Sequence, residues 1–193
     1  MSNVWFTSDY HMGHFNIIGL CQRPFGSVEE MENEIIDRHN AVVGPDDVVY
    51  DLGDFAFRCF AEHAVECLRR LNGRRTILWG NHDKALRQAL KRGLLDDLIA
   101  SGRLTFVGDP DPHLQTGLQI AIENQWIVLS HYAQRTWQGA FRGAWHLYGH
   151  SHGNLPPFKK SMDVGVDAWD FRPLSFEQIR NRMHALTDPF CEE

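Results

Sequence analysis

Short apolar runs alternate with amphipathic stretches along the first half of the chain, and the runs stop at glycine, aspartate or asparagine. Val4 to Ser8 reads as a short buried strand that stops at Asp9. Phe25 to Val43 reads as a helix, opened by the capping box Ser27-x-x-Glu30, spaced by Met31, Ile35 and Ile36, and closed by Gly44-Pro45. Asp47 to Leu52 is strand-like and ends at Gly53-Asp54. Phe60 to Leu71 is helical up to Asn72-Gly73, and Thr76 to Trp79 is a strand that ends at Gly80-Asn81. Lys84 to Ser101 is helical with a break near Gly93, and Leu104 to Val107 is a strand. This alternation predicts a layered α/β fold.

The character then changes. Leu118 to Glu123 and Trp126 to Ser130 predict a β-hairpin around Asn124-Gln125, whose second strand delivers His131. Trp145 to Tyr148 leads to His150 and His152, Ser161 to Val166 is another strand, and Ser175 to Leu186 is a last helix. No repeat, linker or low-complexity segment interrupts the pattern, so residues 1–193 are expected to form one domain.

Composition narrows the class. Hydrophobic residues at 43% and charged residues at 23% suit an ordinary soluble protein. No apolar run approaches the ~18 residues of a membrane span, and the N-terminus has no secretory pattern, so a cytoplasmic location is expected. Cys21, Cys59, Cys67 and Cys191 are widely spaced without a CxxC pair, which predicts buried or idle reduced thiols and not disulfides or zinc ligands. A formal charge of -6 argues against stable nucleic-acid binding over the whole surface and leaves room for a local cationic pocket. Histidine, at eleven residues, is the compositional oddity.

Much of that histidine falls in short blocks: Asp9-x-His11, Gly53-Asp54, Gly80-Asn81-His82-Asp83, Ser130-His131 and Gly149-His150-Ser151-His152. Each block lies at the C-terminal end of a predicted strand, the edge where open α/β sheets bind ligands. In extended backbone, residues two apart face the same side, so Asp9 with His11 and His150 with His152 are expected to point together. Asp54 follows a glycine that permits close approach, and a carboxylate has lone pairs enough to bridge two cations. Carboxylate, imidazole and one amide suit two divalent transition ions, Mn, Fe or Zn. Such a cluster keeps net positive charge, attracts a phosphoryl group and lowers the pKa of bound water towards ~7.

The ordered set DxH, GD, GNH(D/E), a lone His and GHxH, complete here from Asp9 to His152, resembles the calcineurin-like metallophosphoesterase superfamily. The resemblance implies a four-layer αββα sandwich of α/β (α+β) class with a di-metal site between its sheets. One ion would be held by Asp9, His11, Asp54 and His152, the other by Asp54, Asn81, His131 and His150. A hydroxide bridging the metals would attack phosphorus. His82 would contact the scissile phosphate and protonate the leaving oxygen, oriented by Asp83. The implied activity is hydrolysis of a small phosphoester or nucleotide, in first place a phosphodiester. A phosphomonoesterase or nucleotide pyrophosphohydrolase is the alternative, and a non-catalytic metal-binding scaffold is the reading from another class. Scaffolds of this kind typically lack the catalytic histidine, which this chain keeps.

Outside the blocks the signals are weaker. His14 and Asn16 stand close enough to reach substrate or to cap a loop. Arg58 sits where the protein-phosphatase branch carries a phosphate-binding arginine, although Asp54-Phe55-Ala56-Phe57-Arg58 lacks the rest of that motif. Arg135, Trp137 and Arg142 follow His131 and could line a pocket mouth or pack at an edge. His39, His63, His113 and His184 are expected at the surface, His146 in packing, and Arg69, Arg70, Arg74 and Arg75 on a solvated face.

Overall fold

The computed structural model describes residues 2–111 and 117–186 and contains two mixed β-sheets and six helices. In chain order the first half runs β1 (Val4–Thr7), α1 (Phe15–Leu20), α2 (Val28–Asn40), β2 (Val48–Asp51), α3 (Ala61–Arg70), β3 (Arg74–Leu78), α4 (Lys84–Lys91), α5 (Asp96–Ala100) and β4 (Leu104–Val107). The second half runs β5 (Gly117–Ile122), β6 (Gln125–Ser130), β7 (Trp145–Tyr148), β8 (Ser161–Asp163), β9 (Leu174–Ser175) and α6 (Phe176–Ala185).

One sheet has the order β4-β3-β2-β1-β9, parallel except for β9. Its partner has the order β5-β6-β7-β8, antiparallel only between β5 and β6. Phe6, Leu52 and Leu78 from the first sheet and Ile127, Leu129, Leu147 and Met162 from the second form a single buried cluster, so the sheets face each other across it. Phe176, Ile179 and Met183 of α6 join that cluster and close one side. The other face of the first sheet packs on helices through Tyr10, Ile77, Met31, Ile35, Ala64, Leu68 and Leu86. On the outer face of the second sheet, the described residues place Val128 and Ala144 under Trp137, a side chain of the loop after His131. No helix among the described residues is long and apolar enough to cross a membrane.

Element boundaries depart from expectation for local reasons. Ser27 caps α2 as expected, its Oγ accepting the Glu30 N–H at 3.1 Å, so the helix begins at Val28 and not at Phe25, and the Glu30 carboxylate takes the Gly26 N–H at 2.7 Å in place of that of Ser27. The hairpin turns at Glu123 and Asn124, one residue earlier than expected, and both adopt the positive φ (49° and 66°) of a tight two-residue turn. The strand expected to run from Ser161 to Val166 stops at Asp163, whose Oδ1 accepts the Gly165 N–H at 2.6 Å. Gly165 then bridges to Ser8 of the first sheet, tying the two sheets together at one end. Phe15 to Leu20 forms the short helix α1.

Two surface expectations are overturned by burial. His39 is fully buried, with Nδ1 2.7 Å from the Tyr10 hydroxyl and Nε2 3.0 Å from the Asn72 carbonyl. Arg75 is buried beside it and donates to Asp51 Oδ2 at 2.8 Å, a paired charge that the core tolerates because both ends are hydrogen-bonded. Cys21, Cys59 and Cys67 are free thiols, while Cys191 and His113 lie outside the described residues.

Candidate metal centre

Loops leaving β1, β2, β3, β6 and β7 converge at the end of the two sheets where Ser8 meets Gly165. Their backbones are knitted together: Asp9 N–H donates to the Gly53 carbonyl, His11 N–H to that of Asp54, and Gly149 N–H to that of His131, each at 3.0 Å. The approach is close enough to require glycine. A Cβ at Gly80 would lie 2.2 Å from Asp54 Oδ1, and one at Gly149 would lie 2.1 Å from Ser8 Oγ.

The expectation that Asp9–His11 and His150–His152 point together through extended backbone is corrected. Asp9 (φ 61°), His11 (55°), Asp54 (56°), His150 (65°) and His152 (48°) all occupy the left-handed region. That conformation costs an L-residue roughly 1–2 kcal/mol and clusters at functional sites, where surrounding structure over-determines it. The side chains are therefore aimed by tight loop turns and not by a strand pleat.

Two groups of donors result. Asp9, His11 and His152 offer ligand atoms that lie within 4.8 Å of one another, and Asp54, His131 and His150 do the same. Asp54 stands between the groups, its Oδ2 3.7 Å from His11 Nε2 and 3.4 Å from His131 Nε2. Asn81 belongs with the second group through its Oδ1, 2.9 Å from His131 Nε2 and 3.1 Å from the Tyr132 hydroxyl that donates to it. Among the described residues, Asp9 Oδ1, His11 Nε2 and Asp54 Oδ2 are buried without any hydrogen-bond partner. Buried polar atoms are normally satisfied, so orphaned carboxylate and imidazole atoms meeting in one place fit a cation-binding centre.

Partners behind the imidazoles fix which nitrogen faces inward. His152 Nδ1 sits 2.7 Å from Asp167 Oδ2 and His131 Nδ1 2.8 Å from the Leu52 carbonyl, so Nε2 of each is the nitrogen that could serve as a donor. Electrostatics reflect the same crowding. Burial pushes the Asp9 carboxyl up to about 7, against the pull of His131 and His152. Burial would also raise Asp54, but His131 beside it, with His11 and the His82 N–H, holds it below the usual carboxylate range. Burial opposes charge on His131 as well, yet Asp54 raises it to about 9. Burial drives His11 well below its ordinary value.

His82 belongs to neither donor group. Its backbone N–H donates to Asp54 Oδ1 at 2.8 Å, and its partly exposed ring lies 4.1 Å from the Phe57 ring and 5.7 Å from the His11 ring. The Asp83 carboxylate does not touch the His82 side chain. It accepts the N–H groups of Phe55 (2.7 Å), Gly80 (2.8 Å) and Asp54 (3.0 Å), so it pins the two loops that carry Asp54 and His82. His14 is buried against Phe57, its Nδ1 3.4 Å from that of His11, and burial pushes it down to about 4. Arg58 is exposed with its guanidinium 5.2 Å from the Phe57 ring, and its charge is felt by His14. Arg142 lies elsewhere, lining a surface cavity with Gln119 and Trp126 at the opposite end of β6.

Sequence reading missed Arg23 and Asp167. The buried Arg23 guanidinium donates twice to Asp167 (both 2.8 Å), to the Asp9 carbonyl at 2.8 Å and to the Tyr10 carbonyl at 2.9 Å. Asp167 in turn faces His152, so Arg23 ties the first and last ligand loops together. The available signal was a carboxylate just past the strand that pairs beside the His150–His152 strand.

No family model matches the chain. It is 31% identical over 187 residues to the uncharacterized protein MJ1445 of Methanocaldococcus jannaschii, covering 93% of this chain and 90% of that protein. It is 27% identical over 195 residues to the Gene 66 protein of Mycobacterium phage L5, covering 88% of each. Among solved structures, a protein of unknown function from Aquifex aeolicus, AQ665, superposes with a TM-score of 0.69 at 21% identity, covering 94% of this chain and 100% of that one. That likeness extends to the fold.

Proposed function

This chain belongs to the family of the Methanocaldococcus jannaschii protein MJ1445, and we propose that it is a metal-dependent phosphoesterase acting first on phosphodiesters. The observation that carries the reading is the meeting of Asp9 Oδ1, His11 Nε2 and Asp54 Oδ2, orphaned and buried, with imidazoles from the opposite sheet. Asp9, His11, Asp54 and His152 would hold one cation, and Asp54, Asn81, His131 and His150 a second, with Mn, Fe or Zn fitting the donor chemistry. Bound there, divalent cations supply Lewis acidity towards a phosphoryl group and make water nucleophilic near neutral pH.

The chain's own residues do the remainder. His82, partly exposed and outside both donor groups, stands where it can give a proton to the departing oxygen. Phe57 packs on its ring, and Asp83 keeps its loop in register with that of Asp54. His14 and Arg58 flank the same side and would contact substrate. The diester preference rests on the sparse cation supply: monoesters carry an extra negative charge, and the buried Arg23 guanidinium is already engaged by Asp167 and the Asp9 and Tyr10 carbonyls. The retained His82 favours an enzyme over a non-catalytic scaffold.

The test is hydrolysis by manganese-loaded protein of bis-p-nitrophenyl phosphate and p-nitrophenyl phosphate. Faster turnover of the diester is expected. Faster turnover of the monoester would replace the diester reading with the monoesterase one, and two bound metals with no turnover of either would favour the scaffold.

A further inference from the structure

A second cluster of metal-ligating side chains lies between α2 and α3, apart from the centre between the sheets. Glu32 of α2 and His63 and Cys67 of α3 offer ligand atoms within 4.8 Å of one another. His63 and Cys67 are four residues apart, so one turn of helix stacks them on the same face. Glu32 Oε1 is 2.7 Å from His63 Nε2, and Cys67 Sγ is 3.6 Å from the same nitrogen. Glu32 and Cys67 are buried, whereas the His63 side chain is 39% exposed, which gives a cation a way in.

Glu32 is the unusual member. A carboxylate buried among the apolar residues of two helices is costly unless its charge is balanced. Among the described residues its ion-pair partner is His63, which balances it only when protonated. The Glu32 carboxylate also accepts the Gly13 N–H at 2.6 Å, and the Cys59 thiol packs on that same glycine, 3.0 Å from where its Cβ would stand. A carboxylate, an imidazole and a buried thiol, with a second thiol alongside, form the donor set of a soft-to-borderline divalent ion.

We propose that Glu32, His63 and Cys67 form a separate binding site for one thiophilic divalent cation, of which Zn²⁺ is the fitting example. Tetrahedral zinc with bonds of about 2.0–2.3 Å holds its ligand atoms roughly 3.3–3.8 Å apart. The His63–Cys67 separation of 3.6 Å already fits, and the Glu32–His63 contact opens slightly from its hydrogen-bonded 2.7 Å. Cation uptake replaces the thiol proton of Cys67, which leaves to solvent, and the Glu32 charge gains the partner that the apolar surroundings withhold. The site shares no ligand with the centre between the sheets, so it stands or falls independently of the phosphoesterase reading.

Cobalt(II) added to the full chain is the probe, because only a thiolate ligand produces the intense sulfur-to-cobalt charge-transfer absorption in the near ultraviolet. The band is expected to saturate at the intensity of one cobalt–thiolate bond per chain, to vanish in Cys67→Ser, and to persist in Cys21→Ser, which removes the thiol grouped with His152 and Asp167. Should Cys67→Ser not fold, His63→Gln, partly exposed, is expected to weaken the cobalt affinity behind that band by at least about tenfold. A wild-type protein without the band overturns the proposal. So does a band that Cys21→Ser abolishes, or one that His63→Gln leaves at full affinity.

Discussion

The two sheets bring different chemistry to the same cleft. From the first come the carboxylates Asp9 and Asp54, with Asn81, His11 and the unligated His82; from the second come only the imidazoles His131, His150 and His152. Each half nonetheless contains a buried carboxylate that takes three hydrogen bonds from its loops. Asp83 takes three backbone N–H groups in the first half, and Asp163 takes the Ser151 hydroxyl at 2.7 Å, the Gly153 N–H at 2.8 Å and the Gly165 N–H at 2.6 Å in the second. The carboxylate donors of the two groups thus come from one side. Neither half holds a complete ligand set by itself.

The sharpest way to separate these roles is His82→Ala. It removes a side chain of the first half that sits outside both donor groups, so turnover is expected to fall about 10²–10⁴-fold while bound metal stays unchanged. Elemental analysis alongside the diester assay checks both. A fall in metal content that matches the fall in rate would make His82 a ligand-site residue and erase its distinction from His11.

On the second half, Asp167→Asn keeps the shape but weakens the acceptor behind His152 Nδ1. Loss of such a partner typically costs 10–100-fold in metal affinity or activity. The loss is expected in one of two metal-binding phases, because His131 leans on the Leu52 carbonyl and is not touched by the change. Calorimetric titration with Mn²⁺ resolves the phases, and equal weakening of both would break the division into two groups.

The grouping of donor side chains from Asp9 to His152 was legible because strand ends and the donors just beyond them are adjacent in sequence. The placement of β1, β4 and β7 was legible for the same reason, each being a short apolar run with a clear stop. What escaped depends on contacts distant in the chain. Arg23 and Asp167 are 144 residues apart, and nothing local marks either as part of a ligand shell. His39 and Arg75 read as solvated until Tyr10, Asn72 and Asp51 supply buried partners. Left-handed backbone at Asp9, His11, Asp54, His150 and His152 is likewise a property of the assembled loops, since none of these residues prefers it alone.

The smallest expected effect compares one buried histidine from each half. Burial lowers His39 to about 3 on the first sheet's helical side and His146 to about 4 on the second sheet's outer face, where Ser130 and Ser161 hold it. Both folded values lie below the ordinary 6.5, so the unfolded chain takes up their protons first. Stability from each is intact above pH 6.5 and declines as the pH falls, until about 4 for His146 and about 3 for His39. The slope is at most about 1.4 kcal/mol per pH unit for each group. Asp9 and Asp83, raised by burial to about 7 and about 6, act in the opposite sense in metal-free protein. The difference between wild type and variant therefore isolates each histidine better than either curve alone. Urea midpoints at pH 7 and pH 5 are expected to converge for His39→Gln and for His146→Gln relative to wild type, by a similar amount. Convergence in only one variant would mean that the other ring already shares its proton with solvent, and that the two halves are not equally dry.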